Sequence, residues 1–136
     1  MEEDYTRQER REFIRLDYVT PLAYKVCKEE TISKLLLGYI SNISEIGILC
    51  NIDYNVNQGD ILWLSFDRAT LTICEKLEKN ILIYQNGLIG KVVRIDKKND
   101  GLYDVGIKFI TRQESDSINS YPKINFLLKG SRLQNE

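Results

Sequence analysis

With 136 residues, 43% apolar and 29% charged, the chain has the makeup of one soluble globular domain, with room for one core but not for two ordinary ones. A formal net charge of −1 and a pI near 5.6 exclude a diffuse attraction to DNA, RNA or anionic lipid, so anion binding has to come from a local cluster. The absence of histidine, and three cysteines too far apart for a CxxC site, exclude the usual zinc centres and most nucleophile-plus-base schemes.

Cys27, Cys50 and Cys74 lie in apolar surroundings and are expected as buried free thiols, with no metal and no catalytic role. No apolar run is long enough to span a bilayer, and Met1-Glu2-Glu3-Asp4 is unlike a signal peptide, so a cytoplasmic protein with no membrane insertion is expected.

Four of the eight arginines fall in the first fifteen residues, in a segment that is net acidic. Arg11 and Arg15 are four apart, which puts both on one side of the backbone in a helix and in a strand alike. A guanidinium fork can grip a phosphate or the O6/N7 edge of guanine through two parallel hydrogen bonds and can stack on a purine face. That chemistry suits a phosphorylated guanine ligand. A solvated arm neutralised by Glu9 and Glu12 uses the same residues.

Leu22, Tyr24 and Val26 alternate within Tyr18 to Lys28, a strand that Pro21 places at an edge or a strand start. Glu29 to Lys34 is a polar connection. From Leu35 to Asn51 the apolar parity shifts, which demands a bulge or a turn, placed at Ser44 to Gly47. Asn57-Gln58-Gly59-Asp60 is a turn before a half-buried strand with Leu62, Leu64 and Phe66. Leu71, Ile73 and Leu77 suggest another strand in the long 67–86 segment. Asn86-Gly87 signals a type I′ hairpin, and Asn99-Asp100-Gly101 joins Val93 and Ile95 to Tyr103, Val105, Ile107 and Phe109 in a second. Thr111-Arg112-Gln113-Glu114 fits a capping box opening a helix, in which Ile118, Tyr121, Ile124 and Leu128 share a face and Pro122 forces a kink or a restart. Short strands followed by one helix argue a mainly antiparallel barrel or sandwich.

Asn42, Ser44 and Gly47 form a second polar motif. In an extended segment Asn42 and Ser44 offer an amide and a hydroxyl on one side, and Gly47 lets a backbone amide approach a ligand; a bulge or turn uses the same residue types.

Arg-x-x-x-Arg at Arg11 and Arg15, followed by Asn-x-Ser-x-x-Gly at Asn42, Ser44 and Gly47, resembles the PilZ domain family. Gly59-Asp60 before an apolar strand, Gly90-Lys91-Val92-Val93-Arg94 and Val105-Gly106-Ile107-Lys108-Phe109 extend the resemblance over most of the chain. It implies a six- or seven-stranded antiparallel β-barrel with a C-terminal α-helix: a flexible arm over 1–17, the barrel and helix over 18–130, and a frayed tail over 131–136. It also implies a receptor, not an enzyme, for the second messenger cyclic di-GMP. Arg11 and Arg15 would grip a guanine and the phosphates, and Asn42, Ser44 and Gly47 would meet the other guanine from the barrel. Arg10, just before the arginine motif, would favour an intercalated pair of ligands per protomer. Ligand would order the arm and so signal to a downstream protein whose identity the sequence does not give. Two other readings stand beside this one. A PilZ-like interaction module of pilus or motility machinery would not bind the ligand, and an OB-like RNA-binding barrel would need basic residues interleaved with exposed aromatics, for which Tyr18, Tyr24 and Lys25 are a thin set.

Overall fold

The computed structural model describes residues 16–98 and 100–115. In chain order these form strands β1 (Leu16–Val26), β2 (Leu36–Ile43), β3 (Gly47–Ile52) and β4 (Ile61–Ser65), helix α1 (Arg68–Leu77), strands β5 (Ile83–Tyr84), β6 (Gly87–Lys97) and β7 (Tyr103–Phe109), and one helical turn, α2 (Arg112–Ser115). Every pairing is antiparallel, and the strand order β4-β1-β2-β3-β7-β6-β5 closes on itself because β4 also pairs with β6. Six strands therefore make a closed barrel, with β5 lying outside it against the start of β6. Closure leaves few unpaired strand edges.

The barrel follows from alternation. On β1 the residues Leu22, Tyr24 and Val26 turn inward and are essentially fully buried, and Leu62 and Leu64 on β4 and Val105, Ile107 and Phe109 on β7 do the same. Pro21 lies in the part of β1 that has β2 on one side and no strand on the other, since pairing with β4 begins only at Ala23; such an edge tolerates a residue with no amide donor. The β4 strand is more buried than a one-faced strand would be. Ile61 packs with Cys27, Ile89 and Ile110 in a second apolar cluster outside the barrel, so both faces of β4 are covered.

The parity shift in the β2–β3 region has two sources. Ser44 to Ile46 is the turn between the strands, and Ser41 is an extra residue on β2, because Ile40 pairs with Cys50 while Asn42 pairs with Leu49. That bulge lets Ile40 and Ile43, three residues apart, both point into the core. The β5–β6 hairpin is present, shifted one residue from its expected position. Gln85 (φ 49°) and Asn86 (φ 60°) are the central pair of a turn with two positive φ values, the type I′ form, and Gly87 already begins β6. At the β6–β7 connection Gly101 takes φ 80°.

One expectation is overturned. The strand suggested by Leu71, Ile73 and Leu77 is the helix α1. The Asp67 carboxylate caps it by accepting from the Thr70 backbone N–H at 2.9 Å, and the Glu78 N–H closes its other end on the Cys74 carbonyl. Thr70, Leu71 and Cys74, on one helical face, are the residues it buries. The Thr70 hydroxyl reaches both the Asp67 carboxylate and, at 3.2 Å, the Tyr18 hydroxyl, which ties α1 to β1.

The helix signalled by Thr111 starts at Arg112, and its continuation through Ile118, Tyr121, Pro122, Ile124 and Leu128 lies outside the described residues. Cys27, Cys50 and Cys74 are free and buried, and burial pushes each thiol up to about 12. Among the described residues no helix is long and apolar enough to cross a membrane, and no group of acidic residues and cysteines is placed to hold a metal ion.

Candidate functional site

On β3 the core residues Ile48, Cys50 and Ile52 alternate with Gly47, Leu49 and Asn51 on the outer wall. The register carries two rows across that wall. One runs Asn42, Leu49, Gly106, Arg94, and the other runs Gly47, Lys108, Lys91. Between them lies an open hollow of about 280 Å³, lined by Asn42, Ser44 and Gly47 from the β2–β3 hairpin and by Val93, Arg94, Gly106 and Lys108 from β6 and β7. The three residues of the Asn-Ser-Gly motif are thus brought together on one surface.

Two of the motif residues, Ser44 and Gly47, also have a structural task. The Ser44 hydroxyl donates to the Gly47 carbonyl at 3.2 Å and accepts from the Ile46 and Gly47 amides at 3.3 Å, the full complement of a hydroxyl. It therefore shapes the turn, and it presents the hairpin tip rather than an idle hydroxyl. The Ser44 amide adds a 2.8 Å bond to the Gly47 carbonyl, and the Phe109 amide bonds the Ile46 carbonyl at 2.9 Å, which fastens the turn to the end of β7. At Gly47 a Cβ would run into the Ile107 carbonyl, so glycine is needed there for β7 to come close, apart from any ligand.

The wall is cationic on one side. Arg94 pairs through Nε with Asp96 at 3.3 Å, both side chains being mostly exposed. Lys108 is exposed and has no ion-pair partner among the described residues. Further along, Asp104 accepts from the Asn51 amide at 3.0 Å and pairs with Lys98 at 3.2 Å. The Asn51 hydrogen bond, helped by Lys98 and Arg94 and opposed by burial, holds its carboxyl below the usual range.

Arg10, Arg11 and Arg15 lie outside the described residues. The strand that follows them enters the sheet at this site, since Leu16 pairs with Ile43 and Asp17 with Asn42.

A family model for the PilZ domain matches residues 9–121. The chain belongs to the PilZ domain family. PilZ domains are binding rather than catalytic units, and they are generally receptors for cyclic di-GMP. Among solved structures the chain is similar to the inhibitor of motility MotI/DgrA of Bacillus subtilis, with 16% identity, 88% of this chain and 52% of that one covered, and a TM-score of 0.47. It is also similar to the PilZ domain of CeSA from a cellulose-synthesizing bacterium, with 11% identity, coverage of 76% and 89%, and a TM-score of 0.42. The chain thus spans about half the length of the motility inhibitor. No curated protein matches it.

The sequence singled out Asn42, Ser44 and Gly47, which the fold sets on one surface; it offered Gly106 and Lys108 only as part of the family-like stretch 105–109, with no role, and Arg94 as a residue facing either the ligand or, as the plainer reading, solvent. The alternation of Val105, Ile107 and Phe109 already turns Lys108 outward. What it does not reveal is the β3–β7 register that sets Lys108 opposite Gly47.

Proposed function

We propose that this PilZ domain is a cyclic di-GMP receptor whose ligand is held between the arginine motif, Arg11 and Arg15, and the Asn42, Ser44 and Gly47 surface of the barrel. The observation that carries the reading is the entry of β1: Leu16, the residue after Arg15 in sequence, pairs with Ile43, which stands between Asn42 and Ser44. Guanidinium forks supply bidentate contacts to a guanine edge or a phosphate, and the hairpin supplies backbone and amide groups around an open hollow. Arg10, next to the motif, provides a third guanidinium and favours two stacked ligands per protomer. Ligand bridging the segment before β1 to the barrel orders that segment and changes the surface offered to a partner protein, a disorder-to-order switch rather than a catalytic step.

Calorimetric titration of the full chain tests this. Saturable binding of cyclic di-GMP with two ligands per protomer is expected, and cyclic di-AMP should bind weakly. The reason is that adenine presents a donor at N6 where guanine presents an acceptor, at a cost of about 1–3 kcal/mol per bidentate contact. Arg11→Ala and Arg15→Ala should abolish measurable binding at unchanged melting temperature. Full affinity in either variant removes that arginine from the site, and one ligand at saturation removes the stacked pair. Amide exchange over the first seventeen residues that is unchanged by saturating ligand removes the ordering step.

A further inference from the structure

We infer that Lys108 and Arg94 form a second cationic half of the ligand site, taking a phosphodiester of the nucleotide from the barrel wall; this rests on the cyclic di-GMP reading above. Arg94 pairs with Gly106, two residues from Lys108 on the same strand, so Lys108 and Arg94 are diagonal neighbours across β6 and β7. Diagonal positions are roughly 7–8 Å apart, within reach of long side chains that converge on one anion. Both line the hollow that Asn42, Ser44 and Gly47 line from the other side.

Two features of the wall suit an anion. Lys108 is exposed without an ion-pair partner among the described residues, and Arg94 meets Asp96 through Nε at 3.3 Å in a mostly exposed pair that an anion in the hollow can compete for. Gly106, the floor between the cations, is not required by packing. A Cβ there would meet nothing nearer than the Arg94 Cβ at 3.5 Å, an ordinary contact, in contrast to the carbonyl that a Cβ at Gly47 would strike. Glycine at 106 therefore keeps the hollow open where no close approach of strands demands it.

The test measures cyclic di-GMP affinity and melting temperature together for the full chain, for Lys108→Ala, Arg94→Ala, Lys108→Arg and Gly106→Val, and for Lys79→Ala as a control outside the hollow. Lys108→Ala and Arg94→Ala should each weaken binding roughly tenfold to a hundredfold, the scale of a lost charge-assisted hydrogen bond. Lys108→Arg should restore most of the loss, and Lys79→Ala should bind as wild type. Without ligand, Lys108→Ala should melt as wild type does, because the exposed Lys108 has no ion-pair partner among the described residues; a purely structural lysine would lower the melting temperature. Gly106→Val, a residue suited to strands, should fold and bind at least tenfold more weakly by filling the hollow. Wild-type affinity in both Lys108→Ala and Arg94→Ala overturns this inference alone, whereas a wild-type protein that binds no cyclic di-GMP overturns the receptor reading and this inference with it.

Discussion

The Ser44 hydroxyl satisfies one carbonyl and two amides of its own turn, while Gly47 removes the Cβ that would strike the Ile107 carbonyl. These two motif residues act on the fold first and on a ligand through it. Ser44→Ala should lower stability by about 0.5–1.5 kcal/mol, and Gly47→Ala, which forces two strands apart, by about 1–3 kcal/mol. Urea denaturation checks both, and binding losses in these variants have to be compared with those stability losses. Asp104 gives a pH dependence whose sign is set by its depressed carboxyl. Its contribution is present above the unfolded value of about 3.9 and is lost as pH falls through the lower folded value. The urea midpoint of wild type should therefore fall more steeply below about pH 4 than that of Asp104→Asn. The exposed Lys108 shows where reading by residue ends, because its side was legible in the chain and its neighbours were not.

At the scale of elements, hairpins were the most legible part of the chain. Asn86-Gly87 and Asp100-Gly101 mark turns because positive φ is easiest for Asn and Gly, and both turns occur, the first with Gln85 and Asn86 at its centre. The β2–β3 parity shift was legible as a break but not as two breaks, since a bulge at Ser41 and a turn at Ser44 leave the same trace in apolar alternation. The α1 segment was misread because Thr70-Leu71-Thr72-Ile73 alternates like a strand and is rich in β-branched residues. The helical signal was shorter: Asp67 three residues before Thr70, then Leu71 and Cys74 on one face. Asp67→Ala, which removes the cap, should lower the melting temperature and reduce the far-ultraviolet helical signal while leaving ligand affinity unchanged, since α1 lines no part of the hollow. A matching loss of affinity would mean that α1 supports the site.

For the whole molecule, the pairing of strands distant in sequence is what makes a site from scattered residues. Asn42 and Arg94 are 52 positions apart in sequence, yet three strand pairings set them in one row across the outer wall. Barrel class, strand alternation and the polar hairpin could be read from local pattern. The row could not, because pairing register is decided by the packing of all strands around one core. The β1–β2 pairing sets the first residues of β1, Leu16 and Asp17, against Ile43 and Asn42. The most direct measurement is a backbone amide NMR titration of the full chain with cyclic di-GMP. The account predicts saturable shifts concentrated at Asn42, at Ser44 to Leu49 and at Gly106 to Lys108, with α1 unmoved and so too the β1–β4 wall, across the barrel from β3 and β7, where Lys25 lies over the Trp63 ring. Shifts confined to that opposite face, or none at all with saturating nucleotide, would contradict it.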